Sequence, residues 1–129
     1  MTDVHDRSAA DLVAMIAAGE VSSLEVLDHF LARIERAGPA VNAVVTLDAE
    51  RARPRSAEAD AAHTSGESWR PLHWLPMTVK DAFETEGVVT TSGAPELQAH
   101  VPERDADAVA RLRAAGAVVF GKTNLPIYA

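Results

Sequence analysis

The sequence predicts a one-domain α/β fold. Two short apolar runs, residues 75–79 and 117–120, have the length and composition of buried strands. A helical pattern that carries Val109 and Leu112 lies between them. This order favours a βαβ unit, in which the two strands are parallel and joined by a right-handed crossover. A chain of 129 residues is long enough for one domain with its own core.

Two helices are predicted over residues 8–40, before the first strand. Ser8 begins the first helix as a side-chain cap, and Gly19 ends it. The run Ser22-Ser23-Leu24-Glu25 is typical of a capping box and begins the second helix, which Gly38-Pro39 ends. Apolar side chains then repeat at helical spacing, which predicts an antiparallel pair packed along Leu24, Leu27, Leu31 and Ile34.

Residues 41–129 are predicted to form the α/β part. Apolar residues alternate at Val41, Ala43, Val45 and Leu47, which predicts a short strand. Asp48 is expected to cap a third helix that reaches about His63. Pro54 lacks a backbone N–H, so a break with a restart near Ser56 is expected.

The remaining connections are predicted to be loops. Residues 64–73 contain Gly66 and Pro71, and residues 84–104 show no period, so the second loop is expected to hold at most one helical turn. Asp105 is expected to cap the helix of the βαβ unit, which Gly116 ends.

Composition excludes several classes of function. The net charge of −7, from 12 basic and 19 acidic residues, argues against a nucleic-acid surface. The chain has no cysteine, so it has no disulfide, thiol nucleophile or cysteine-ligated zinc. The five histidines lack metal-ligand spacing, and no cofactor or metal is expected. The polar N-terminus and the absence of a long apolar run predict no signal peptide, no membrane association and a cytoplasmic location.

Lys80 is the strongest candidate for chemistry because it closes an apolar strand. As a catalytic base it must be neutral, which desolvation favours. The structural alternative is an ion pair with Asp81 or another acid. A hydroxyl-rich segment lies ten residues further along the chain and consists of Thr90, Thr91, Ser92 and Gly93. This segment is either a plain turn or the lining of a site beyond the end of the strand.

Residues 116–123 match the phosphate-loop pattern G-x-x-x-x-G-K-T. The intervening residues are strand formers, whose N–H groups are expected to pair in a sheet instead of cradling an anion. Pro126 also prevents a long helix from following. Nucleotide binding is therefore disfavoured, and an ATP titration would decide it.

The segments LPMTVKD, TTSGA, VPERDADAVARLRAAGAVVFGKTN and LPIYA occur in this order over residues 75–129. Through them the chain resembles the N-terminal part of the amidase signature family over residues 8–129. The resemblance implies a mixed sheet sandwiched by helices and hydrolysis of small amides by a Ser–cis-Ser–Lys triad. Lys80 matches the family's lysine, which takes a proton from the bridging serine. The GKTN segment is implied to support the sheet and to bind no phosphate.

Several features depart from the family pattern. The family's two serines lie in a Gly/Ser-rich segment beyond position 129, so these residues are expected to be an N-terminal fragment of one amidase-type domain, inactive alone. Trp74 replaces a usual glycine and is expected to distort the strand that carries Lys80. Strand 117–120 is expected to have exposed edges, which would allow self-association.

Two alternatives stay open on the sequence. The chain is either a non-catalytic α/β module that binds a partner through its sheet, or a fragment of the related amidotransferase component that supplies ammonia for tRNA-dependent amidation. The leading interpretation is an amidase, a hydrolase of C–N bonds other than peptide bonds.

Overall fold

The computed structural model describes residues 4–66 and 70–128 of the chain. The mixed α/β class is confirmed. In chain order the elements are α1 Ala9–Ala17, α2 Ser23–Val41, β1 Val44–Leu47, α3 Ala49–Thr64, β2 Pro76–Lys80, α4 Asp107–Ala114 and β3 Val118–Thr123. Single 3-10 turns lie at Val4–Asp6 and Pro95–Leu97, so the long loop contains one helical turn as predicted. Of the predicted loop at 64–73, residues 67–69 lie outside the described part.

The three strands form one sheet in the order β1-β3-β2. β2 and β3 are parallel, as the βαβ pattern predicts, and β1 is antiparallel to β3. The right-handed crossover stays a prediction. The expectation of exposed edges on strand 117–120 is wrong, because β3 is the central strand and is flanked on both sides. In the described part of the chain, the free edges belong to β1 and β2.

Helices pack on both faces of the sheet. On one face, Val118 and Phe120 of β3 pack against Leu27 of α2 and Ala52 of α3. On the other face, Val79 and Val119 contact Val109 of α4. The alternation of side chains along β3 therefore fills two cores at once. The helices α1 and α2 share a third apolar cluster, formed by Leu12, Ile16, Val26 and Leu75, while their antiparallel orientation stays a prediction.

The predicted capping box begins α2. Ser22 Oγ accepts a hydrogen bond from the Glu25 N–H at 3.0 Å, and Ser22 N–H donates to Glu25 Oε2 at 2.8 Å. The Asp60 carboxylate of α3 accepts from the N–H groups of Ser23 and Leu24, at 2.7 and 3.1 Å. These bonds satisfy backbone donors that have no partner within a helix, and they tie α3 to the start of α2.

Ser22→Ala is expected to lower the free energy of unfolding by about 1 kcal/mol, because the Glu25 N–H loses its side-chain acceptor. The matched control is Ser22→Thr, which keeps the hydroxyl and should stay near wild type. Urea unfolding followed by circular dichroism measures both. Equal midpoints for Ser22→Ala and wild type would show that the cap contributes nothing.

Two prolines do not break helices where a break was expected. The helix α2 continues through Pro39 to Val41, and α3 continues through Pro54 without a restart at Ser56. Both prolines are on exposed positions, while Ser56 and other small residues of α3 are buried. Each proline costs a hydrogen bond, but the packed inner face keeps the helix continuous, since packing supplies most helical stability.

Two aspartates do not provide the side-chain caps that were predicted. Asp48 precedes α3, but its carboxylate accepts from Arg51 Nε at 2.9 Å, and no side-chain cap bond forms. Asp105 Oδ1 accepts from the Glu86 N–H at 2.8 Å, and Ala106 is the residue before α4. In each case another donor lies closer to the carboxylate, so Asp105 joins the long loop to α4.

The predicted short strand is confirmed as β1, but Val41 and Ala43 lie outside it, and Val45 and Leu47 are on its outer face. Val45 and Leu47 are 40% and 47% exposed, and Val44 and Thr46 face inward instead. Val41, with which the alternation begins, belongs to α2, and the pairing of β1 with β3 is irregular between Val44 and Thr46. A shift of one residue exchanges the two faces of a strand.

Trp74 does not prevent the strand that carries Lys80 from forming. The strain lies before the strand, where His73 and Trp74 both have positive φ, 47° and 60°. Such a conformation favours glycine. Ser23 Oγ donates to the Trp74 carbonyl at 2.7 Å, and β2 begins two residues later. The expected distortion is therefore confined to the turn.

Candidate active site

Lys80 is the last residue of β2, at the carboxyl end of the strand. Strand alternation places it on the face of Thr78 and opposite the buried Val79. Its side chain is exposed and forms no hydrogen bond or ion pair with the described residues. On the same face, Thr78 lines a cavity of about 340 Å³ together with apolar residues that include Phe30, Ile34, Val44 and Phe120.

Asp81 follows Lys80 and is fully buried. Its backbone N–H donates to the Thr123 carbonyl at 3.1 Å, which extends the pairing of β2 with β3. Its carboxylate oxygen Oδ2 accepts from the N–H of Thr91 at 3.1 Å and from Thr91 Oγ1 at 2.5 Å. The Asp81 carbonyl also accepts from the Ser92 N–H at 3.0 Å. The structure therefore holds the turn at 90–93 against the strand end.

Gly93 lets this turn pack closely against the C-terminal segment. Ser92 and Gly93 have φ values of 50° and 70°. A Cβ on Gly93 would lie 2.9 Å from the Leu125 carbonyl oxygen. A residue with a side chain is thus disfavoured by both conformation and space.

Lys122, on β3, is the partner of Asp81. Its side chain is 0% exposed, and Nζ donates to the Phe83 carbonyl at 2.6 Å and to Thr90 Oγ1 at 2.7 Å. Nζ also lies 3.6 Å from Asp81 Oδ1. Burial lowers the pKa of Lys122, and the Asp81 charge opposes that shift without cancelling it. The ion-pair partner of Asp81 is thus Lys122 and not Lys80.

The segment that resembles a phosphate loop does not form one. Gly121, Lys122 and Thr123 belong to β3, with Cα partners in β1 and β2. A Cβ on Gly121 would lie 2.9 Å from the Thr46 carbonyl oxygen, so this glycine serves the close approach of β1. The prediction that the intervening strand formers pair in a sheet is confirmed, since Val118 and Val119 have Cα partners in β2.

The buried Lys122–Asp81 pair was not predicted. The sequence signal is a lysine that follows the apolar run Val118–Phe120 after a single glycine, and a similar signal, a lysine at the end of an apolar run, marks Lys80. Strand alternation and the bulge in β3 decide which of the two lysines is inside. The bulge is visible in the register, where Met77 pairs with Val119 and Thr78 with Gly121.

Metal-binding and membrane-spanning features do not occur in the described part of the molecule. Over residues 4–66 and 70–128, no group of three potential metal ligands is found. Within that same part of the chain, none of the helices has the length and apolarity required to cross a membrane.

The sequence matches the Amidase family over residues 25–129. The chain belongs to the amidase signature family. A similar curated protein is the glutamyl-tRNA(Gln) amidotransferase A component of Roseiflexus sp. strain RS-1, 43% identical over the whole chain and 26% of that protein. Among solved structures, the Stenotrophomonas maltophilia peptide amidase is 38% identical with a TM-score of 0.84, over 95% of this chain and 25% of that one. A fatty acid amide hydrolase is 28% identical with a TM-score of 0.86, over 95% and 22%.

The chain thus spans about a quarter of the length of these amidase signature relatives. The predicted resemblance to the family is confirmed, and so is the predicted fold class. The role of Lys80 and the lining of the site by Thr90, Thr91, Ser92 and Gly93 stay predictions.

Proposed function

We propose that these residues form the lysine-bearing part of an amidase that hydrolyses carboxylic amides by a Ser–cis-Ser–Lys mechanism, with Lys80 as the base. One observation carries the assignment. The chain has two lysines, and Lys122 is buried with its hydrogen bonds satisfied by protein groups. Of the two, only Lys80 has an amine without a partner among the described residues, and it lies at a strand end of the kind where α/β sites form.

In this mechanism, the neutral Lys80 amine takes a proton from the bridging serine, which takes one from the nucleophilic serine. The nucleophile attacks the amide carbonyl, the amine leaves with a returned proton, and water then hydrolyses the acyl-enzyme. Both serines would come from sequence that these 129 residues do not include. The exposure of the Lys80 side chain supports this origin of the serines, because a further segment could reach the amine.

The 129-residue protein alone is expected to release no ammonia from amides, because it lacks the serine pair and a catalytic unit loses most activity with one member. The assay couples ammonia release to an enzymatic readout at high protein concentration. Turnover that Lys80→Ala abolishes would contradict the missing-nucleophile argument.

The proposed role of Lys80 is tested in a chimaera in which residues 1–129 replace the matching quarter of the Stenotrophomonas peptide amidase. The chimaera is expected to hydrolyse a peptide amide and to depend on Lys80. A folded chimaera without turnover would contradict the proposal. A chimaera that is active without Lys80 would contradict it equally.

A second candidate is a component of a tRNA-dependent amidotransferase. The observation in its favour is the name of the curated relatives, such as the Roseiflexus and Acidothermus cellulolyticus proteins, at 43% and 42% identity. The test is complementation: the chain replaces the matching part of the Roseiflexus protein, and glutamine-dependent amidation of glutamyl-tRNA(Gln) is measured. Amidation without hydrolysis of simple amides would favour this candidate.

Two further expectations stay predictions. The cytoplasmic location depends on the sequence alone. Self-association would use the free edges of β1 and β2 instead of β3, and exposed Val45 and Leu47 on β1 support that choice. A monomer that binds no hydrophobic dye would argue against it.

A further inference from the structure

We infer that the buried Lys122–Asp81 pair positions Lys80, because it fixes the turn at 90–93 to the end of β2 through Thr90 and Thr91. The inference rests on the proposed function of Lys80. It assigns a positioning role to the pair and to the hydrogen bonds of the two threonines.

The pair flanks Lys80 on both strands. Asp81 follows Lys80 along the chain. The partner of Lys80 across the sheet is Thr123, which follows Lys122. The Asp81 N–H bonds the Thr123 carbonyl at 3.1 Å. Displacement of either charged residue therefore moves the backbone from which the Lys80 side chain starts.

The contacts of the pair also fix the loop that returns to the strand end. Lys122 Nζ donates hydrogen bonds to the Phe83 carbonyl and to the Thr90 hydroxyl, at 2.6 and 2.7 Å. Asp81 Oδ2 holds the backbone and side chain of Thr91. The Thr90 hydroxyl in turn donates to the Val88 carbonyl at 3.0 Å. One ion pair thus joins β2, β3 and both ends of the loop over 83–91.

The cost of burying two charges makes a positioning role a better account than stability alone. Apolar residues of similar volume often stabilise a fold as well as a buried ion pair does, because both charges lose their hydration. Charged groups differ in giving short, directional hydrogen bonds. A proton-transfer group needs such a support, since a misplacement of about 1 Å can cost about 10²-fold in rate.

The test uses paired substitutions in the chimaera, with kcat, KM and Tm measured for each. Thr90→Val and Thr91→Val keep the volume and remove the hydroxyl, whereas Thr90→Ser and Thr91→Ser keep the hydroxyl and remove the methyl group. The valine variants are expected to lose about 10- to 100-fold in kcat with KM nearly unchanged. The serine variants are expected to retain kcat within about twofold of wild type.

A lower kcat in the serine variants than in the valine variants would overturn the inference. Such a result would show that the methyl groups and not the hydrogen bonds support the site. Valine variants with wild-type kcat would also overturn the inference. The proposed function would still stand in that case if Lys80→Ala loses its activity. If a valine variant does not fold, its serine counterpart decides, since low kcat there contradicts the inference. Activity that persists in Lys80→Ala would refute the proposed function itself.

Discussion

Lys80→Ala is expected to lower the kcat of the chimaera by about 10⁴-fold and to leave the Tm of the 129-residue chain unchanged. The loss corresponds to about 5.4 kcal/mol of transition-state stabilisation, at 1.36 kcal/mol for each factor of ten. Removal of one member of a catalytic unit whose residues act together typically lowers kcat by about this factor. The stability of the 129-residue chain should not change, because the Lys80 side chain is exposed there and forms no bond with the described residues. Steady-state ammonia release and thermal unfolding measure the two quantities.

Lys80→Arg separates charge from basicity. Arginine keeps the positive charge but is not deprotonated in proteins, so this variant should be as inactive as Lys80→Ala. Arg111→Ala, on the exposed side of α4, is the control for loss of a surface charge, and it should keep wild-type kcat. An active Lys80→Arg enzyme would show that the residue supplies charge and not a proton acceptor.

Lys122→Met is expected to lower the free energy of unfolding by about 3–5 kcal/mol, the range for removal of one member of a buried ion pair. Methionine fills a similar volume, so the cost comes from the Asp81 carboxylate, which stays buried without its counter-charge. The Phe83 carbonyl and the Thr90 hydroxyl also lose a donor. Urea unfolding at pH 7 measures the change.

Two further variants separate the loss of the buried pair from the loss of any lysine. Lys80→Met is the same chemical change at the exposed lysine and should change stability by no more than about 0.5 kcal/mol. The double variant Asp81→Asn/Lys122→Met removes both charges and should recover much of the loss. If Lys122→Met unfolds at the same urea concentration as Lys80→Met, the buried pair does not stabilise the fold.

The pKa of Lys122 also sets the sign of a pH dependence. Burial lowers its pKa in the folded chain, whereas an unfolded lysine has a pKa of about 10.4. Between these two values the unfolded state binds more protons, so this residue makes stability rise with pH. Below the folded-state pKa the cost of the buried charge is fully present. In the alkaline range, Lys122→Met should lack this rise relative to wild type.

Local chemistry allowed much of the fold to be predicted. The capping box at Ser22, the strand before Lys80 and the parallel pairing of β2 with β3 all follow from short patterns that the structure confirms. The family segments likewise identify the fold class, because four of them occur together. The errors arose where a local rule competed with packing, as at Pro54, which the buried face of α3 overrides.

The sequence by itself determined the family, the α/β class and Lys80 as the candidate base, because these depend on residue identity and spacing. Tertiary structure alone decided that Lys122 is inside and Lys80 outside. Both lysines end apolar runs, and only the pairing of β3 between β1 and β2, with its bulge, assigns each to a face. The physical reason is that burial of a charge depends on partners distant in sequence. For Lys122, those partners are Asp81, Phe83 and Thr90.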